Sequence, residues 1–153
     1  MKKQLGLLAL LTLSSTAPAL AGPQGLAFPQ AYRSWAHAKS MVIPDPAHPL
    51  AGFHHVYVQP EVVADYRAGK VLPSGAQLVV AFYEVVEQGG TTNQGALKMV
   101  AVMKKDPGAK ATGGWRYGAF DSAGKALEID VVTGCYNCHA AQKARDYLFS
   151  TWQ

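Results

Sequence analysis

The chain has 153 residues, a formal charge of +4 and two cysteines. Once the two N-terminal lysines are set aside with the leader described next, the charge falls to +2 and 132 residues remain, a length for one domain with one modest core. No run of Lys and Arg is left beyond Lys104-Lys105, which excludes the electrostatic footprint of a nucleic-acid or other polyanion binder.

Residues 1–21 read as a cleavable export signal. Lys2-Lys3 is a charged start, residues 5–13 are an apolar run, and Ala19-Leu20-Ala21 is a small-residue cleavage site. The apolar run is too short to cross about 30 Å of hydrocarbon, so no membrane association is expected after cleavage near Ala21.

Pro29 can open a helix with Tyr32, Trp35 and Ala36 on its apolar face, running to about Lys39 and stopped by the Pro-rich residues 44–49. Residues 53–59 read as a strand, with Phe53, His55 and Tyr57 on one side and His54, Val56 and Val58 on the other. Pro60 starts a short helix over 61–68, and Gly69 can cap it. The β-branched and aromatic run 78–86 is the strongest strand signal, with 96–103 as its hairpin partner and the polar, Gly-rich residues 88–95 as a mobile connection. In that partner Leu97, Met99 and Met103 are expected to share the inward face. A loop over 106–114, an aromatic strand over 115–120 and a turn over 121–125 follow. The tail from 135 to 149 has no Pro or Gly and reads as a helix. The sum is an α+β domain, predominantly antiparallel sheet with a few helices, over residues 22–153.

Both cysteines fall within Cys135-Tyr136-Asn137-Cys138-His139. Two thiols three residues apart on one helical turn can reach the two vinyl groups of a haem, and the adjacent histidine then lies under the iron. The motif needs export, and the leader provides it. This reading gives one haem c, bound through Cys135 and Cys138, with His139 as the metal ligand. The competitors are a redox C-x-x-C pair, for which no βαβ unit is visible, a short-loop disulfide, and zinc with one of His37, His48, His54 or His55 as a fourth ligand.

On the iron's other side an electron carrier would want a second ligand, for which Met99 and Met103 are the candidates, though both suit core packing equally. One of His54 and His55 must face the core. Arg116, between Trp115 and Tyr117, is a candidate for pairing with a haem propionate.

The order of Tyr32-Arg33-Ser34-Trp35, His55-Val56-Tyr57-Val58 before Pro60, Gly75 with its hairpin, Lys105-Asp106-Pro107, Gly114-Trp115 and the C-terminal haem motif followed by Phe149-Ser150 resembles the cytochrome P-460 family. The resemblance implies a β-rich, homodimeric periplasmic haem protein with a five-coordinate iron. It also implies one of two chemistries. Cytochromes P-460 oxidise hydroxylamine with a lysine-crosslinked haem, whereas their cytochrome c′-beta relatives bind gases such as nitric oxide or carbon monoxide beneath aromatic residues; the partners expected for this chain are a small gaseous ligand or nitrogen oxide and a redox partner protein. The crosslinking lysine aligns with Val80, and no lysine stands between Gly75 and Lys98; only a shifted crosslink could use Lys70 or Lys98. An apolar strand at 78–82 favours a small neutral diatomic and offers no general base, which leaves Glu84, Glu87 and the two histidines for that role. The gas-binding reading therefore leads, with Phe82, Phe53 and Phe120 as candidate distal aromatics.

Overall fold

The apolar run after Pro73 becomes the middle of the protein. In the computed structural model, which describes residues 25–153, five strands form one antiparallel sheet in chain order: β1 Ala36–Ile43, β2 Gly52–Val58, β3 Gln77–Gln88, β4 Thr91–Lys105 and β5 Trp115–Asp121. Two short helices, α1 Val63–Arg67 and α2 Asn137–Ala140, complete an α+β fold. The expected export signal, residues 1–21, lies outside the described residues.

Strand alternation divides the core into two layers, one on each face of the sheet. On the first face Val56, Val58, Leu78, Trp115 and Tyr117 pack under Val62 and Tyr66 from the α1 region, Leu72, and Val131 and Leu148 from the C-terminal segment. On the second, Val79, Ala81, Tyr83, Val100, Val102 and Phe120 are covered by Leu26 and Tyr32 from the N-terminal segment. Each fully buried valine contributes about 1.5–3 kcal/mol of transfer free energy. Both faces of β3 are thus covered at Leu78 and Val79, which explains why the strand opens with apolar residues on both sides instead of alternating.

The expected helix to Lys39 does not form. A single 3-10 turn, Tyr32–Ser34, is followed directly by β1. Antiparallel pairing with β2, from Ala36↔Val58 to Ile43↔Gly52, overrides the weak helical pattern. The expected mobile connection at 88–95 is also corrected. Gly89 and Gly90, at φ 60° and 77°, make a two-residue type I′ turn, and Thr91–Gly95 extends the hairpin as strand.

A bulge alters a third expectation. Phe82 pairs with Met99 but Tyr83 pairs with Leu97, so one extra residue in β4 turns Leu97 to the second face with Tyr83. Met99 and Met103 stay on the first face. The tail, finally, is not one helix from 135 to 149. A wide π-type turn, Val132–Tyr136, leads into α2, and a 3-10 turn, Lys143–Arg145, ends at Asp146.

Candidate functional site

The C-x-x-C-H segment is started by Asp130. Its Oδ1 accepts the backbone N–H groups of Val132 at 2.9 Å and Thr133 at 3.2 Å, and these bonds, Thr133 first, hold its carboxyl below the usual range. The wide turn that follows brings Cys135 half into the first-face core, while Cys138, one turn on, is exposed. No disulfide joins them. Burial pushes the Cys135 thiol up, with Cys138 and Asp130 adding to the shift. A thiol of that kind lacks the activated thiolate of a redox C-x-x-C pair. Among the described residues no three His, Cys, Asp or Glu side chains gather in a way that could hold a metal ion, which leaves the zinc alternative without its ligands.

His139 follows Cys138 in α2. Its Nδ1 lies 2.7 Å from the backbone oxygen of Tyr147; because a carbonyl only accepts, Nδ1 carries the proton and Nε2 keeps its lone pair. Burial lowers the imidazole pKa below its ordinary value, and the Tyr147 bond offsets this only in part. The ring is therefore neutral at neutral pH, in the tautomer a metal-binding histidine needs. Tyr117 and Phe149 flank it, with ring centroids at 5.2 and 5.0 Å.

Beside Tyr117 the first face of the sheet continues as a row of small apolar residues, Val56, Val80, Ala101 and Ala119 in register, and then as His54, Phe82 and Met99. Val80 and Ala101 are only half buried. Val132 and Phe149 are apolar and exposed at 46% and 49%, and Phe149 lies against the His139 ring. An apolar surface of this kind has something to gain from a flat apolar cofactor.

The polar atoms point the same way. Among buried side-chain atoms, Trp115 Nε1 and Tyr117 Oη have no hydrogen-bond partner. Both belong to alternate residues of β5 on the first face, and Tyr117 touches His139. Burial raises the Tyr117 pKa far above its usual value, so it stays a neutral donor. A haem would bring two vinyl groups for the thiols, an iron for Nε2, an apolar body for the wall and carboxylates that can accept hydrogen bonds. The residues present fit that group.

Other expected residues stand elsewhere. Arg116 is not at this site: strand alternation turns it to the second face, where its Nε pairs with Asp106 Oδ2. The Asp106 carboxyl is held low by the Gly108 N–H first and by Arg116 second. Phe120 also lies on the second face, 5.5 Å from Phe28, and Phe53 stacks near His55 there. Only Phe82 of the three candidate aromatics shares the face of Tyr117. His54 is the core-facing histidine; its Nε2–H donates to Leu50 O at 2.7 Å and its ring meets Phe82 at 4.4 Å. His55 faces the other way and bonds Ser40 and Gln94. Lys70 pairs with Asp65, and Lys98 donates to Ala51 O.

Two cavities, of about 280 and 430 Å³, sit around Lys104 and the N-terminal segment, and none of Cys135, Cys138 and His139 lines either. The site residues that sequence reasoning missed are Tyr117, Tyr147 and Phe149. The period-two alternation that removes Arg116 was the available signal for Tyr117; nothing local pointed to Tyr147, whose contribution is a backbone carbonyl.

The chain matches the Cytochrome P460 family over residues 29–150. No curated protein matches it.

Proposed function

The chain belongs to the cytochrome P460 family, and from that premise we propose that it is an exported haem c protein, its one haem attached through Cys135 and Cys138 and ligated by His139, that binds a small diatomic such as nitric oxide. The observation that carries the reading is the His139 imidazole, neutral, with Nδ1–H committed to Tyr147 O, beside the apolar row Val80, Ala101 and Ala119.

Haem iron would supply an open coordination position for such a ligand and a one-electron couple. The chain's own residues do the rest. Tyr147 O orients the imidazole and strengthens it as a ligand. Phe82, Val80 and Ala101 present no proton acceptor and discourage water, conditions that favour a neutral diatomic over a substrate that must lose protons. Export by the leader and a redox partner protein belong to the same reading, as do the periplasmic setting and the homodimer that the family resemblance implies.

Hydroxylamine or nitric oxide oxidation is the alternative, and Val80 counts against it: the strand that should carry a crosslinking lysine has an apolar side chain there, while Lys70 and Lys98 are engaged elsewhere. The oxidase reading requires turnover with an artificial electron acceptor and a haem–lysine bond visible by mass. An electron carrier would use Met99 or Met103, both half buried on the first face.

The decisive experiment is the visible spectrum of the protein matured with c-type haem machinery, oxidised, reduced and with nitric oxide. The expected result is a high-spin ferrous spectrum that changes cleanly with the gas. Sharp low-spin bands indifferent to gas would make it a carrier, and a strongly red-shifted ferrous Soret band would return the oxidase reading. His139→Ala should abolish the normal spectrum.

A further inference from the structure

Two consecutive residues that are not glycine hold left-handed backbone conformations, Asp146 at φ 51° and Tyr147 at φ 65°. Such conformations are strained for residues with a Cβ and persist only where the surroundings over-determine them; aspartate tolerates the region better than tyrosine does.

The surroundings here are specific. The Asp146 carboxylate takes the Lys105 ammonium on Oδ1, in an ion pair whose side chains are 7% and 11% exposed. Its Oδ2 accepts the Leu72 N–H at 3.0 Å. Lys105 in turn lies 4.7 Å over the Trp115 ring. Tyr147 is held by its own N–H to Gln142 O at 2.9 Å and by Gly113, whose missing Cβ would stand 2.3 Å from the tyrosine ring. All of this fixes the direction of one group, the Tyr147 carbonyl, which receives His139 Nδ1–H. A buried ion pair is a poor device for stability alone, since packed apolar side chains would do as well, but it is a good one for fixing a geometry.

We propose that Asp146 is a positioning residue for the His139 imidazole: locked by Lys105, it holds the strained pair whose carbonyl sets the orientation and ligand strength of the ring, and through them the reduction equilibrium of the iron. The inference rests on the haem reading above. Donation from Nδ1–H makes the imidazole a stronger ligand, which favours the ferric state. Loss of that bond shifts the equilibrium toward ferrous by about tenfold, the upper end of the net weight of one neutral hydrogen bond.

The test is the ferrous iron–histidine stretching frequency and a redox titration of the holoprotein, for wild type, Asp146→Ala and Asp146→Asn. Asp146→Ala should lower the stretch and raise the potential by about 59 mV, the one-electron equivalent of tenfold. Asp146→Asn, which still accepts the Leu72 N–H and tolerates left-handed backbone, should recover at least half of both. Should Asp146→Ala fail to fold, Lys105→Met removes the ion-pair partner while leaving the Asp146 carboxylate and its Leu72 bond in place, and should shift both readouts in the same direction. A covalently haem-loaded Asp146→Ala, or Lys105→Met in its place, with wild-type stretch and potential overturns the proposal. A wild-type chain without covalent haem overturns the haem reading itself, and that result appears before any variant is made.

Discussion

The ring of Tyr117 lies 5.2 Å, centroid to centroid, from that of His139, and its buried hydroxyl has no hydrogen-bond partner. An unsatisfied buried hydroxyl costs about 1–3 kcal/mol. Tyr117→Phe removes that cost, so in protein made without haem attachment the variant should be about 1 kcal/mol more stable than wild type by urea unfolding. In the holoprotein the gain should vanish, because a carboxylate of the bound haem would give the hydroxyl an acceptor. An equal gain in both forms would mean that the cofactor leaves Tyr117 unpartnered.

Phe82 and Phe120 are both buried, but on opposite faces of the sheet, which makes them a matched pair for locating the ligand side. Phe82 meets His54 on the face of Tyr117, while Phe120 packs on Phe28. Replacing either with leucine should cost about 1–3 kcal/mol in the holoprotein. Only Phe82→Leu should change the nitric oxide dissociation rate, measured by trapping the released gas. If Phe120→Leu alters that rate and Phe82→Leu does not, the ligand side has been assigned to the wrong face.

Much of this was legible from local chemistry. The alternation Phe53, His55, Tyr57 against His54, Val56, Val58 is the burial pattern of β2, and Pro60 with Gly69 bounds the short helical segment that includes α1. What failed depended on partners distant in sequence. Residues 36–39 carry a helical pattern and become strand because β2 needs an edge neighbour. Leu97 changes face because of one bulge. In the site, C-x-x-C-H is readable because its chemistry is contained in five residues. Tyr147 is not, because its role is a carbonyl aimed by an ion pair between Lys105 and Asp146, 41 residues apart. Arg116 was attractive by residue type alone, and alternation within Trp115-Arg116-Tyr117 decides against it.

Gly113 is required twice over. Its φ is +69°, and a Cβ there would stand 2.3 Å from the Tyr147 ring. Gly113→Ala therefore combines backbone strain with overpacking and should destabilise the protein by about 2–4 kcal/mol. Gly69 is the control: its φ is +65° but nothing lies within 4 Å of the added methyl, so Gly69→Ala should cost only about 1 kcal/mol. Urea midpoints of the two variants separate strain from crowding. Equal losses would mean that the tyrosine ring moves aside without cost.

The last prediction concerns acid. Burial lowers the pKa of His54 below its ordinary 6.5, against a smaller upward pull from the Leu50 carbonyl; Lys98, His48 and His55 add to the lowering, and the uncharged ring of Phe82 packs beside it. The unfolded chain therefore takes up this proton at a higher pH than the folded one. Stability fully present above about pH 6.5 is lost as pH falls through the lowered folded value. In the holoprotein a coordinated His139 has no free Nε2 to titrate, so His54 can be isolated there. The urea midpoint of wild-type holoprotein should fall between about pH 7 and pH 5, and His54→Gln, which cannot titrate, should flatten that dependence while lowering stability at neutral pH by about 1–3 kcal/mol. If the variant keeps the wild-type slope, the acid sensitivity belongs to other groups and His54 is protonated no more readily in the unfolded chain than in the folded one.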